Sequence, residues 1–500
     1  MKLSNLLLRK PPGYMLACMV CSFGGFLFGI DTGIIGPVTV MDDFKNYVGD
    51  PSPTIHGLIV SSILIPAAIS SFFAGKVADA LGRSHGIAIG SFVFGVGAAL
   101  EAASVHIGMF VAGRVIEGIG EGLYLGTLLL TTLGLVTGFF TCYGSADIPS
   151  SFSWRLPFLL LAAYSLVFSV AALFWLPASP RWLTLRGRED EAAAAWEKLG
   201  VDAADREKIL EQLPTSVVDG NTATVDASGS IALMDLAPGT RPANPAPPKK
   251  KKSQLLDVFA SDARPRLLLA VFLMGMQQLS GIDGQAGLSS NESAFLASGV
   301  SALLIFAVTV PATLWADRWS RRANTIAGGL GMTCTMFLMG ALYASDAVHA
   351  GAGAGRWVVI VCIYLFAVLY CVSWAVGIKV YAAEIQLPAT RASATSVAHG
   401  SNWLSNFLVA LVTPTLLAKT SYGAYFLFGG CTLLTALVCW GFMPETRGRS
   451  LDEIDLAFRE KKKIGGSRVG VGAVSGVKQF AKALLSRRRV LRRMPPTVDA

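Results

Sequence analysis

Four ionisable side chains, Asp31, Arg114, Glu117 and Glu121, lie inside stretches that are otherwise apolar. A bare carboxylate at mid-membrane costs about 2.5–3.5 kcal/mol on insertion scales, so Asp31 needs a partner, a water or a proton. Arg114, set between Gly113 and Val115, is the candidate partner. Two readings of that pair stand side by side: a fixed ion pair joining two helices, or a site where protonation of Asp31 releases Arg114. Glu117 and Glu121, one helical turn apart and close to Arg114, are alternative proton carriers. Uncharged chemistry is offered by amides. Gln277 and Gln278 are neighbours in an apolar span, and their donors and acceptors suit a row of hydroxyls. Adjacent helical residues point about 100° apart, so both reach a cavity only at a helix edge; interhelical hydrogen bonding is the alternative. Asn402 and Trp403 pair another amide with an indole face, for which packing or an interfacial position is the plainer explanation.

The elements that position these residues are membrane-spanning helices. Of 500 residues, 53% are hydrophobic and 15% charged, and the mean hydropathy is +0.53. Soluble domains carry about 25% charge. Candidate spans fall near 14–40, 56–76, 85–105, 107–141, 154–176, 266–288, 292–316, 323–345, 356–383, 393–417 and 422–443. The start, with Lys2, Arg9 and Lys10, leads straight into an apolar span without the short core and cleavage site of a signal peptide. The eight cysteines lie in or beside apolar spans with no metal or disulfide spacing. The net charge of +9 concentrates in loops and the tail, a pattern that orients membrane proteins rather than one that binds nucleic acid. Nucleophile elbows, metal boxes and phosphate loops are absent from the sequence, so an enzyme is not expected, nor any cofactor.

A loop signature occurs twice. Asp79-Ala-Leu-Gly82-Arg83 follows one span, and Asp317-Arg318-Trp-Ser-Arg321-Arg322 follows another in the second half. Tandem helical bundles of this kind build many secondary transporters. The expected organisation is a cytoplasmic segment 1–13, a helix bundle 14–176, a linker 177–265, a second bundle 266–443 and a basic tail 444–500. The linker opens with a polar helical stretch from Glu189 to Leu213 and then turns Pro/Ala/Thr-rich, which implies disorder. Eleven spans conflict with the charge pattern. One crossing at 107–141 puts Lys249–Lys252 outside, two put every strongly basic loop inside, and about 35 residues are short for two.

These residues resemble the sugar porter family of the major facilitator superfamily, with a fungal hexose-carrier flavour, over about 14 to 456. The matching segments, in the family's order, are Gly24-Gly-Phe-Leu-Phe-Gly-Ile-Asp31, Gly75-Lys-Val-Ala-Asp79-Ala-Leu-Gly-Arg83, Gly113-Arg114-Val-Ile-Glu-Gly-Ile-Gly120 and Pro177-Ala-Ser-Pro-Arg181-Trp-Leu. The second half adds Gln277-Gln278-Leu-Ser-Gly281-Ile-Asp283, Glu384-Ile-Gln-Leu-Pro-Ala-Thr-Arg391, Asn402-Trp403-Leu-Ser-Asn406-Phe and Pro444-Glu-Thr-Arg-Gly-Arg449-Ser-Leu. The chain departs from the family in five places, one of them Pro177-Ala178 where relatives have Pro-Glu. A Pro-Glu…Arg-Gly loop between spans four and five is missing with about 25 residues, and a tyrosine pair after the Gln-Gln motif is gone. Asp283 stands where relatives often have asparagine, and Lys379 where many have tryptophan.

The resemblance implies an all-α major facilitator fold of two six-helix halves, nominally twelve spans with two shortened regions. It implies a secondary carrier that moves a hexose-like sugar by alternating access, by proton symport because relatives with aspartate at Asp31 resemble proton-coupled carriers. Asp31 and Arg114 are then the coupling pair. Gln277, Gln278, Asp283, Asn402 and Trp403 contact substrate. Asp79, Arg83, Arg181, Asp317, Arg321, Arg322, Glu384 and Arg391 form a cytoplasmic gate whose salt bridges tie the halves together. The expected partners are a sugar, a proton and the lipid bilayer, with no nucleic acid, and the expected location is the plasma membrane. A non-transporting sugar sensor and a shortened, inactive carrier are the alternatives.

Overall fold

A computed structural model describes residues 12–49, 52–124, 128–202, 206, 258–260, 263–281, 292–348, 354–387, 390–420, 422–449, 453–456 and 458. Among them every regular element is helical. The first group comprises α1 (Gly13–Val40), α2 (Asp42–Val48), α3 (Pro53–Ser61), α4 (Leu64–Leu81), α5 (Arg83–Ala102), α6 (Ile107–Glu121), α7 (Leu128–Ser145) and α8 (Phe152–Trp175). Two short helices follow, α9 (Pro180–Leu185) and α10 (Glu189–Leu199). The second group comprises α11 (Arg264–Gln278), α12 (Glu292–Trp315), α13 (Arg321–Ala344), α14 (Ala354–Tyr370), α15 (Val376–Glu384), α16 (Arg391–Lys419) and α17 (Gly423–Phe442). A π-helical turn, Cys371–Ala375, joins α14 to α15. Backbone polar groups have no water to bond inside a bilayer, and helices satisfy them within one segment.

Eight of these helical stretches are long and apolar enough to cross a membrane. Counting α3–α4 and α14–α15 as single passes, the described helices make twelve. The stretch 107–141 is therefore two helices, and the parity conflict in the sequence disappears. Economy of length resolves it: α6 and α11 have 15 residues each, about 22 Å at 1.5 Å per residue, against a hydrocarbon core of about 30 Å. Span 266–288 likewise ends as a helix at Gln278. The expected disorder of the linker beyond its first helix, the Lys249–Lys252 run and the basic tail lie outside the described residues.

Each group has its own core. One gathers Leu27, Ile34, Phe94, Phe110, Trp154 and Phe158; the other gathers Leu273, Met332, Met336, Phe366, Trp374 and Tyr381. The groups meet along α3–α4 against α16, where Thr54 and Thr415 hydroxyls lie 3.2 Å apart and Gly400 faces the Phe72 ring. They meet again where Gly299 of α12 faces Phe139 of α7. Phe28 of α1 stacks edge-on against Trp403 of α16, centroids 5.3 Å apart.

Small residues set how closely the helices approach, as is usual where lipid removes the hydrophobic drive between them. The tightest seam is α1 against α7. A Cβ on Gly134 would lie 2.3 Å from the Phe26 carbonyl oxygen, and one on Gly29 would lie 2.0 Å from that of Thr131. Those backbones leave no room for any side chain. Gly134→Leu is expected to lower the melting temperature of the detergent-solubilised protein by several degrees, the result of overpacking by about 1–3 kcal/mol. An unshifted melting curve would show that the seam is looser than described.

Candidate functional site

Arg114 sits on the face of α6 that also carries Glu117 and Glu121, residues three and seven positions on, and all three are buried. Its guanidinium is 1% exposed. Nη1 donates to Asp31 Oδ1 of α1 at 2.5 Å and to Glu117 Oε2 at 3.4 Å. Glu101 Oε2 of α5 stands 4.0 Å from the same nitrogen. Nη2 donates to the Val60 carbonyl of α3 at 3.2 Å. The structure thus brings the expected Asp31–Arg114 pair together and surrounds it with more acid than the sequence reading assigned to it. Glu101 was missed because it falls at the end of an apolar span, where a polar residue reads as the start of a loop.

The amides form a second cluster on the other side of the molecule's midline. Gln278 Nε2 donates to Asn402 Oδ1 at 3.2 Å. Asn402 Nδ2 donates to the Met274 carbonyl at 2.8 Å and to Gln277 Oε1 at 3.3 Å. Gln277 Nε2 donates to the Trp374 carbonyl at 2.8 Å. That carbonyl lies in the π-helical turn, whose wider ring leaves backbone acceptors to be satisfied by side chains; Asn324 does the same at Val372. The two glutamines therefore differ. Gln277 is 1% exposed and bound into the bundle, whereas Gln278 is half-buried and its Oε1 meets no donor among the described residues. Trp403 is half-buried beside them. Asp283 lies outside the described residues.

The charged loops gather at one end. Arg321 Nη2 donates to Asp317 Oδ1 at 2.8 Å and to Glu384 Oε1 at 3.4 Å, and Glu384 Oε2 accepts from Thr446 Oγ1 at 2.6 Å. Arg322 bonds the Trp440 carbonyl, and Arg391 the Gln386 carbonyl at 3.5 Å. Asp317, Arg321, Glu384 and Thr446 border a cavity of about 320 Å³ that Arg447 and Arg449 also line. Arg83 is exposed at the start of α5. Asp79 lies on α4 and Arg181 on α9, with side chains outside the described set. Among the described residues the ion pairs of this end stay within one helix group, rather than tying the two together. The sequence reading passed over Arg266, which pairs with Asp455, and over Glu445, because a carboxylate in a polar tail gives no signal of what it caps.

Glu445 accepts from Ser320 Oγ and from the backbone N–H groups of Arg321 and Arg322, so it sits on the N-terminus of α13 where a negative charge is favoured. Partial burial pushes its carboxyl up. The hydrogen bonds from Ser320 and from the N–H groups of Arg447, Arg321 and Arg322 outweigh that and hold it below the usual value of 4.5. A carboxyl lowered by folding contributes stability above its unfolded pKa and loses it as pH falls through the folded one. Glu445→Gln is expected to lower the melting temperature at pH 7 and to leave it nearly unchanged near pH 3; equal losses at both would refute the assignment.

Among the described residues no group of His, Cys, Asp and Glu is placed to hold a metal. A profile described as "Sugar (and other) transporter" matches residues 17–128 and 126–458. The low-affinity glucose transporter HXT3 of Saccharomyces cerevisiae is 27% identical over 89% of this chain and 82% of its own. The glucose transporter GlcP of Staphylococcus epidermidis is 27% identical over 88% and 96%. The solved proton:xylose symporter XylE, bound to 6-bromo-6-deoxy-D-glucose, is 22% identical; it superposes at a TM-score of 0.69 over 89% of this chain and 99% of that one. The fold is thus the one XylE adopts, and the chain belongs to the sugar transporter family, whose members are multi-pass membrane carriers and not enzymes.

Proposed function

We propose that this transporter carries a hexose-like sugar together with a proton, by alternating access between two helix bundles. The observation that carries the reading is the Asp31–Arg114 pair at 2.5 Å, buried among further carboxylates in an apolar bundle. A fixed structural pair needs one acid for one base, whereas a group that loses and regains a proton needs its partner within reach in both states. The likeness to the glucose transporters HXT3 and GlcP favours glucose as the sugar, and that to the proton:xylose symporter XylE favours proton coupling.

In this reading Asp31 takes a proton from one side, Arg114 is released, and helices α1 and α6 become free to shift. Sugar hydroxyls meet the free acceptor of Gln278 and the indole of Trp403, while Gln277 and Asn402 hold those two in place; Asp283 completes the wall. The end bearing Arg83, Arg321 and Arg322 faces the cytoplasm by the positive-inside rule. Asp79, Arg181, Asp317, Glu384 and Arg391 complete the gate there, and Arg321 exchanges its acidic partners as that end opens and closes.

Labelled-hexose uptake in a host lacking its own hexose carriers, with surface display confirmed and external pH varied, tests the reading. Concentrative uptake that rises with external acidity is expected. Asp31→Asn is expected to bring internal and external sugar to equal concentration; retained accumulation in that variant sinks proton coupling at this residue. Gln278→Ala is expected to raise the sugar KM about tenfold, the loss of one hydrogen bond of about 1.4 kcal/mol. Gln277→Ala, which strips the Trp374 carbonyl of its donor, is expected instead to lower the melting temperature by the equivalent of about 1–3 kcal/mol. The opposite assignment of the two glutamines would show as exchanged outcomes.

A further inference from the structure

Helices α5 and α6 pack through two reciprocal notches. A Cβ on Gly97 would lie 2.6 Å from Glu117 Cγ, and a Cβ on Gly113 would lie 2.6 Å from Glu101 Cγ. Each glycine makes room for the glutamate of the other helix, and the two carboxyl groups come within hydrogen-bonding reach of each other. Both side chains are fully buried, and among the described residues no donor reaches either oxygen of Glu101 or Oε1 of Glu117. Two carboxylates are acceptors only, so a hydrogen bond between them requires a proton on one. Beside this pair stands Arg114 Nη1, 3.4 Å from Glu117 and 4.0 Å from Glu101, while it binds Asp31.

We propose that Glu101 and Glu117 share one proton and constitute a second proton site, which serves as the alternative counter-ion of Arg114 when Asp31 is protonated. The inference rests on the proton-coupled reading above. The shared O–H bond breaks and a new one forms on an Asp31 carboxylate oxygen; the glutamate pair then carries two negative charges and Arg114 turns to it. The total charge of the cluster is unchanged by the transfer, and Arg114 turning to the pair offsets the repulsion between its two carboxylates. The pair later regains a proton from solvent. Its titratable and charged surroundings are Asp31 from α1 and Arg114 and Glu121 from α6, with the phenols of Tyr124 and of Tyr164 on α8 beyond Glu121. Arg155 of α8 binds the Ser104 carbonyl just past Glu101, and α4 presents the Ser70 hydroxyl to the Gly118 carbonyl.

The test is the pH profile of sugar-driven proton uptake and of sugar uptake for the wild type, Glu101→Gln and Glu117→Gln. Glutamine keeps the shape and removes a negative charge from beside Asp31, so the midpoint is expected to move to lower pH by about one unit, a tenfold higher proton demand. Glu117→Asp, which restores a carboxyl, is expected to recover part of the shift. A merely structural role would lower the rate at every pH and leave the midpoint in place, and that result overturns the proposal. A wild type without any pH dependence or proton movement defeats the underlying proton-coupled reading instead. Infrared spectra of the purified wild type supply a measurement independent of any variant. A protonated-carboxyl band that shifts in heavy water is expected at neutral pH, and carboxylate bands alone would overturn the shared proton.

Discussion

One guanidinium buried in an apolar bundle constrains the whole first half of the molecule. Arg114 cannot shed its proton in a protein, so three acidic side chains and a backbone carbonyl are arranged where they neutralise and solvate it in place of water. Removing one partner of such a buried pair typically costs about 3–5 kcal/mol, because the other charge is stranded. The second half solves a different problem. Beside its buried Arg266 and Arg321 it gathers a cluster of amides, each of which donates to another amide or to a backbone carbonyl. A buried charge cluster in the first half and an amide cluster in the second suit the proposed cycle, in which a proton is sensed and an uncharged, hydroxyl-rich solute is gripped.

The geometry that allows both arrangements comes from glycine. Gly97 and Gly113 admit the two glutamates between α5 and α6, and Gly29 and Gly134 let α1 and α7 touch backbone to backbone. With α1 drawn against α7, Asp31 is held at the level of Arg114 on α6. A bulkier residue at these contacts would change more than local packing, because it would alter the distance between the Asp31 carboxylate and the Arg114 guanidinium it pairs with. Close packing and charge placement are in this sense one constraint, and the glycine-rich composition of the spans serves both.

Much of this was legible in the residues themselves. The twice-repeated loop signature and the apolar runs gave the helical class and the two-part organisation, and Asp31 and Arg114 identified each other as ionisable groups with no other business in a span. What stayed hidden had weak local signals. Glu101 looks like a span terminus, and only the reciprocal contact with Gly113 reveals that it points inward. Gln277 and Gln278 are indistinguishable by type, and their division of labour depends on a π-helical turn that hydrophobic periodicity does not encode. Glu445 reads as a tail residue until α13 begins beside it. The loop between α6 and α7 is the reverse case: a region too short on paper proved long enough, because two helices can each be trimmed.

Trimming a helical hairpin at its turn removes residues from both arms at the same level, so the register of everything further along is preserved. Helix α6 keeps Gly113, Arg114 and Glu117 opposite Glu101, Asp31 and Gly97, and α7 keeps Gly134 and Gly138 against α1. The shortening falls instead on the segment beyond Glu121. There Gly120 lies against Gly90 and Phe94 of α5, and Gly122 against Ala67 and Ser70 of α4. Those contacts are seven or more residues short of the α4 and α5 ends, about 10–16 Å of helix at 1.5 Å per residue. The arms of the hairpin therefore stop well inside the bundle. What a full-length hairpin would add lies at that end, away from the Arg114 cluster. A chain built this way can retain the Asp31–Arg114 cluster intact while its basic end is altered, and the two become separable by physics rather than by sequence position.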